Sequence, residues 1–160
     1  MLRVDELAKL GGRPCLHQRP EGGCAVHARR PGICRAYRCA WLAGAFGDDD
    51  RPDRLGAVLD LVTRGDAPRL VVRQQAEDAY ARSERLREIV AEARRTMPVE
   101  LRDASDVLDP DRPYRVLEPG GDELEIAGDV VRVRRDGRLV EERRAPWLER
   151  TVRALSLIHI

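Results

Sequence analysis

Four cysteines carry the chemistry most plainly available to this sequence. Cys15, Cys24, Cys34 and Cys39 follow one another as C-x8-C-x9-C-x4-C, and the rest of the chain has none. The spacing matches neither a paired C-x2-C zinc ribbon nor a C2H2 finger nor the ferredoxin patterns. Clustering is the stronger signal. Cysteines used as small hydrophobes would be scattered along apolar faces, whereas these lie among Gly, Pro, His and Arg. Disulfides would need an oxidising compartment, for which the chain shows no address. A metal site accounts best for the pattern. Closed zinc ligation contributes about 10 kcal/mol or more near neutral pH, which would fix a Gly/Pro-rich stretch that lacks an apolar stripe.

Helix geometry limits how the cysteines can act together. Residues five apart are rotated by about 140°, so Cys34 and Cys39 cannot face one ion from the middle of a regular helix. One stands at a helix end, or they serve different ions. Cys34, close to the start of an expected helix, should gain thiolate character from the helix dipole. Arg30, Arg35 and Arg38 are expected to compensate the charge of a thiolate-rich site. His17, two residues after Cys15, could ligate through its neutral imidazole, and His27, three after Cys24, is a weaker candidate; the alternative for both is a supporting or surface position.

The segment GCAVHARRPGICRAYRCAWL, Gly23 to Leu42, resembles the signature of the YkgJ-type cysteine-cluster family, approximately G-C-x-I-Y-x-x-R-P-x-x-C-R-x-F-x-C. Cys24, Arg30, Pro31, Cys34, Arg35 and Cys39 match, while Val26, His27 and Tyr37 stand where Ile, Tyr and Phe are usual. Upstream, DELAKLGGRPCLH resembles the family's D/E-L-x-K-P-x-G-x-x-C-x-H, with Leu10 replacing the proline and Cys15 and His17 matching. The resemblance covers roughly Val4 to Gly44. It implies a zinc- or iron-chelating protein, or one holding an iron-sulfur centre. Family members usually begin with a further cysteine-rich run, so Met1 is read as an internal start in a truncated gene.

The surrounding elements must position these residues. Pro31 suits a first helical turn, and PGICRAYRCAWLAG reads as about three turns ending near Gly44. DDDRPD, Asp48 to Asp53, reads as a solvated turn. Gly56 to Val62 and Arg69 to Gln75 are β-like runs separated by a break, which predicts a hairpin. From Ala76 to Met97, Leu86, Ile89, Val90, Ala93 and Met97 recur at helical spacing, with Pro98 beyond the end. Short strands follow near Tyr114–Leu117, Glu123–Ile126, Val130–Arg134 and Arg138–Glu142, and Asp136-Gly137 is a type I′ turn signal. The expected class is α+β: an irregular Cys-rich metal-binding module with a short helix over residues 1–47, then a small body over 48–154. In that body a mainly antiparallel sheet would pack on one long helix. LSLIHI, residues 155–160, holds two of the five isoleucines and resembles a translated sequencing adapter. It is read as a foreign tail, and His159 is set aside with it.

Composition narrows the function classes. The 160 residues suit one domain or little more. They are 42% hydrophobic but 4% aromatic, so the core must be built chiefly from Leu, Val and Ala. Basic residues number 29 and acidic residues 28, a formal net charge of +1 that implies neither nucleic acid nor an anionic membrane. Lys9 is the only lysine, so no Walker loop exists, and no G-x-S-x-G, H-E-x-x-H or Rossmann fingerprint occurs. Asp103, Asp106, Asp109 and Asp111 lie among prolines and suit turns and caps; Trp41 and Trp147 suit core or interface anchoring. No apolar run reaches membrane-spanning length, and a cytoplasmic location is expected. The reading is a protein that coordinates zinc or an iron-sulfur cluster through Cys15, Cys24, Cys34, Cys39 and His17. Whether it is an enzyme stays open. The alternatives are an iron-sulfur redox protein or a metal-stabilised interaction module.

Overall fold

The computed structural model describes residues 4–9, 15–21, 23–64, 66–75, 78–103 and 111–146. The chain enters its sheet through two short helices, α1 (Gly32–Ala36) and α2 (Pro52–Leu55). Strands β1 (Ala57–Arg64) and β2 (Ala67–Gln74) form the expected hairpin, paired from Ala57↔Gln74 to Arg64↔Ala67. Helices α3 (Ala79–Arg82) and α4 (Glu84–Arg94) lead to β3 (Val99–Asp103), which lies parallel to β2 with Leu70 opposite Val99. A parallel neighbour needs a crossover, and α3 and α4 supply it. Strands β4 (Tyr114–Leu117), β5 (Glu123–Ala127), β6 (Val130–Arg135) and β7 (Arg138–Arg144) then add antiparallel in chain order. The four C-terminal strands fall where their alternation placed them. Asp136 and Gly137 take φ of 51° and 74°, the paired left-handed conformation of a type I′ turn.

This architecture corrects the expected one. The strands form one seven-stranded mixed sheet rather than a small sheet packed on a long helix. The helix expected over 76–97 is 11 residues in α4, preceded by the four of α3. Ser83 breaks the pair by taking an extended conformation, φ −92° and ψ 111°, and its hydroxyl caps α4 by accepting from Leu86 N. Residues 76 and 77 lie outside the described residues, as do Asp106, Asp109, Trp147 and the 155–160 tail.

The cysteine segment does not stand apart as a module either. The three-turn helix expected from Pro31 to Gly44 is five residues long, because Tyr37 is already extended at φ −62° and ψ 130°. The chain then turns to dock on β1, where Ala40 N donates to Leu59 O at 2.8 Å. Ala40 is buried in the same cluster as Leu55, Leu59 and Leu70.

That cluster joins Leu86, Ile89 and Val90 of α4 to Leu59, Leu70, Val72, Val99, Leu101 and Leu117 of the sheet. Successive strand residues point to opposite faces. The alternate positions Asp60, Arg73, Glu100 and Arg102 therefore lie on the other face, and all four are buried. Farther along the sheet a second apolar cluster comprises Tyr114, Val116, Ile126, Val131 and Ala145. Among the described residues no helix is long and apolar enough to cross a membrane.

Candidate metal centre

Cys15 and Cys24 are drawn together by a small hairpin-like turn. Gln18 N donates to Cys15 O at 2.9 Å, Gln18 and Cys24 form an antiparallel bridge, and Ala25 N donates to His17 O at 2.8 Å. Gly23, at φ 86°, permits this return in a left-handed conformation that side chains disfavour. A 3-10 turn over His27–Arg29 follows, its first N–H bonded to Cys24 O at 3.2 Å. Pro31 then leads into α1, where Cys34 is the third helical residue.

Three thiols thus reach one neighbourhood from different parts of the chain. Burial pushes the Cys34 thiol above its usual value, and the charges of Cys15, Cys24 and Glu6 push it further, against the pull of Lys9. Burial lowers Lys9, while Cys15 and Cys34 act to raise it. The expectation of a dipole-favoured Cys34 thiolate is therefore overturned, since a five-residue helix does not outweigh burial and neighbouring thiolates. All four cysteines are free; Cys15, Cys24 and Cys34 are partly accessible.

Cys39 is placed differently. It is 3% exposed, precedes the Ala40 contact with β1, and its charge acts on Tyr37. Because α1 ends at Ala36, Cys34 stands in the helix and Cys39 beyond it. Among the described residues, no three His, Cys, Asp or Glu side chains stand in a geometry that could hold an ion. Cys15, Cys24 and Cys34 share a neighbourhood without occupying formed ligand positions. Their chemistry fits a soft metal, because thiolates repel one another until a cation joins them.

The arginines expected to neutralise the site stitch its backbone instead. Arg30 Nη1 donates to His27 O at 2.8 Å and lies 3.2 Å from His27 Nδ1. Arg35 Nη1 donates to Arg30 O at 2.7 Å, and Arg38 Nη1 to Arg35 O at 3.3 Å. His27 is thereby engaged through its ring, whereas His17 is half-buried on the turn that links Cys15 to Cys24.

Sequence reasoning passed over two buried charged groups on the second sheet face. Asp60 accepts from Tyr37 and Arg73, and Glu100 accepts from Arg64, Arg69 and Arg102. Their trace in the sequence is charge at every second position of otherwise apolar strands, as in VELRD. Asp50 lies in the stretch that reads as a solvated turn, yet it is buried and receives Arg85 Nε at 2.7 Å and Nη2 at 3.1 Å, which clamps the turn to α4. Comparison with protein-family models, curated proteins and solved structures finds no match, so the likeness to the YkgJ-type cluster rests on the matching cysteines, arginines and proline themselves.

Proposed function

We propose that this chain is a metal-binding protein of the YkgJ-type cysteine-cluster kind, in which the thiolates of Cys15, Cys24 and Cys34 hold zinc or an iron-sulfur centre. The observation that carries the reading is the placement of three free thiols, Cys15 and Cys24 joined through the Gln18–Cys24 bridge and Cys34 on α1 just after the turn that follows Cys24. His17, on the turn between two of them, is the side chain offered to complete the set. Cys39, buried where the chain docks on β1, is left outside the proposed set. Raised affinity for its proton makes the metal-free Cys34 thiol a weak nucleophile, and a bound cation would reverse that by stabilising thiolate. Such thiols need a reducing environment, and the cytoplasm is the proposed location.

The test is anaerobic purification under reducing conditions, followed by metal analysis and visible absorption. Zinc in stoichiometric amount without colour supports a structural site; iron and sulfide with broad brown absorbance supports a redox centre. Cys34→Ser should remove either. A folded wild-type protein that carries no metal and takes up none would overturn the proposal.

A further inference from the structure

Among the described residues, three guanidinium groups share one carboxylate on the sheet face opposite α4. Glu100 on β3 is fully buried, and three guanidinium groups converge on its carboxylate. Arg102 Nε donates to Oε2 at 2.7 Å, Arg69 Nη1 to Oε1 at 2.5 Å, and Arg64 Nη2 to Oε2 at 3.3 Å. Arg102 also lies over the Tyr114 ring, 3.5 Å from its centroid. Arg64 and Arg69 have less: among the described residues, Glu100 is the one carboxylate either of them meets. Arg69 Nε is buried with no hydrogen-bond partner among those residues. Both side chains keep about a fifth of their surface exposed, 22% for Arg64 and 20% for Arg69, so solvent reaches the pair.

Guanidinium groups tolerate burial when each donor fork meets an acceptor and the charges balance. One carboxylate supplies neither condition for Arg64 and Arg69 while it also serves Arg102. The position favours an exchangeable partner, since the two arginines flank the turn end of the β1–β2 hairpin, with Arg69 opposite Val62 and Arg64 opposite Ala67. Planar guanidinium forks match the paired oxygens of phosphate and carboxylate groups. We propose that Arg64 and Arg69 form a binding site for a small oxyanion, which meets their solvent-reached surface and supplies the negative charge that Glu100 alone does not. Glu100 is the fixed part of this site, holding both guanidiniums in place. The anion would bind independently of the cysteine trio.

Calorimetric titration of the full chain with inorganic phosphate, and separately with acetate at matched low ionic strength, tests this. Saturable binding of either anion is expected. Arg69→Gln and Arg64→Gln should each weaken it about tenfold or more, the loss expected for a charge-assisted hydrogen bond. Arg138→Gln on exposed β7 should leave it unchanged. No saturable binding of either anion, or an equal loss in Arg138→Gln, would overturn the site. Should the first two variants lack a cooperative melt, phenylglyoxal labelling of the wild type decides. Protection of Arg64 and Arg69 by the anion, relative to Arg138, supports the site; equal labelling with and without it refutes the site.

Discussion

Tyr37 donates its hydroxyl hydrogen to Asp60 Oδ1 across 2.8 Å, while Asp60 Oδ2 accepts from Arg73 Nε at 3.2 Å. A single buried carboxylate thus ties the segment leaving α1 to both strands of the β1–β2 hairpin. Burial, and then the Asp60 charge, push the Tyr37 hydroxyl far above its ordinary value, so it remains a donor across the accessible pH range. Asp60→Ala would strand the Arg73 guanidinium, which is 6% exposed. The expected cost is about 3–5 kcal/mol, the usual penalty for breaking a buried pair. Tyr37→Phe removes one hydrogen bond and should cost about 1–2 kcal/mol. Urea unfolding of the two variants measures both losses, and equal effects would contradict this ranking.

Acid sensitivity should centre on Glu100. Burial alone would raise its carboxyl, but Arg102 and Arg64, with the bonds from Arg102 and Arg69, hold it below the ordinary 4.5. A depressed folded-state value means that the stabilisation is fully present above the unfolded value and is lost as pH falls through the folded one. Unfolding midpoints should therefore drop as pH falls below about 4.5. Glu100→Gln should be less stable at neutral pH and show a shallower acid decline, because the titrating group is gone.

Ser83 both ends α3 and starts α4, its Oγ accepting from Leu86 N at 3.1 Å. Ser83→Ala should lower stability by about 1 kcal/mol and reduce helical signal, whereas Ser83→Asp should retain most of both. Circular dichroism with urea titration distinguishes the pair. Indistinguishable variants would mean that the cap adds nothing to α4.

The cysteines should divide by role. Cys15→Ser, Cys24→Ser and Cys34→Ser are each expected to abolish stoichiometric metal, as read by elemental analysis of anaerobically purified protein. Cys39→Ala is expected to keep the metal and to lower the unfolding midpoint, since Cys39 is buried beside the core. Loss of metal in Cys39→Ala with unchanged stability would reverse this division.

Local chemistry made much of the molecule legible in its sequence. The β1–β2 hairpin and β4 to β7 follow from alternation and from turn residues such as Asp136-Gly137, which act between neighbours in the chain. The gathering of cysteines ahead of β1 was equally plain. Tertiary structure alone decided the rest. No strand is expected from the sequence over VELRD, and it becomes β3 with Glu100 and Arg102 partnered by each other, by Arg64 and by Arg69. The apolar period over 76–97 did not reveal the break at Ser83, since spacing records which side faces inward and not where the backbone turns. Nor did spacing show that Cys39 would be buried while Cys15, Cys24 and Cys34 stay partly accessible. That burial accompanies Tyr37 and Ala40, whose bonds to Asp60 and Leu59 draw the chain onto the sheet, and such contacts exist only once distant strands have met.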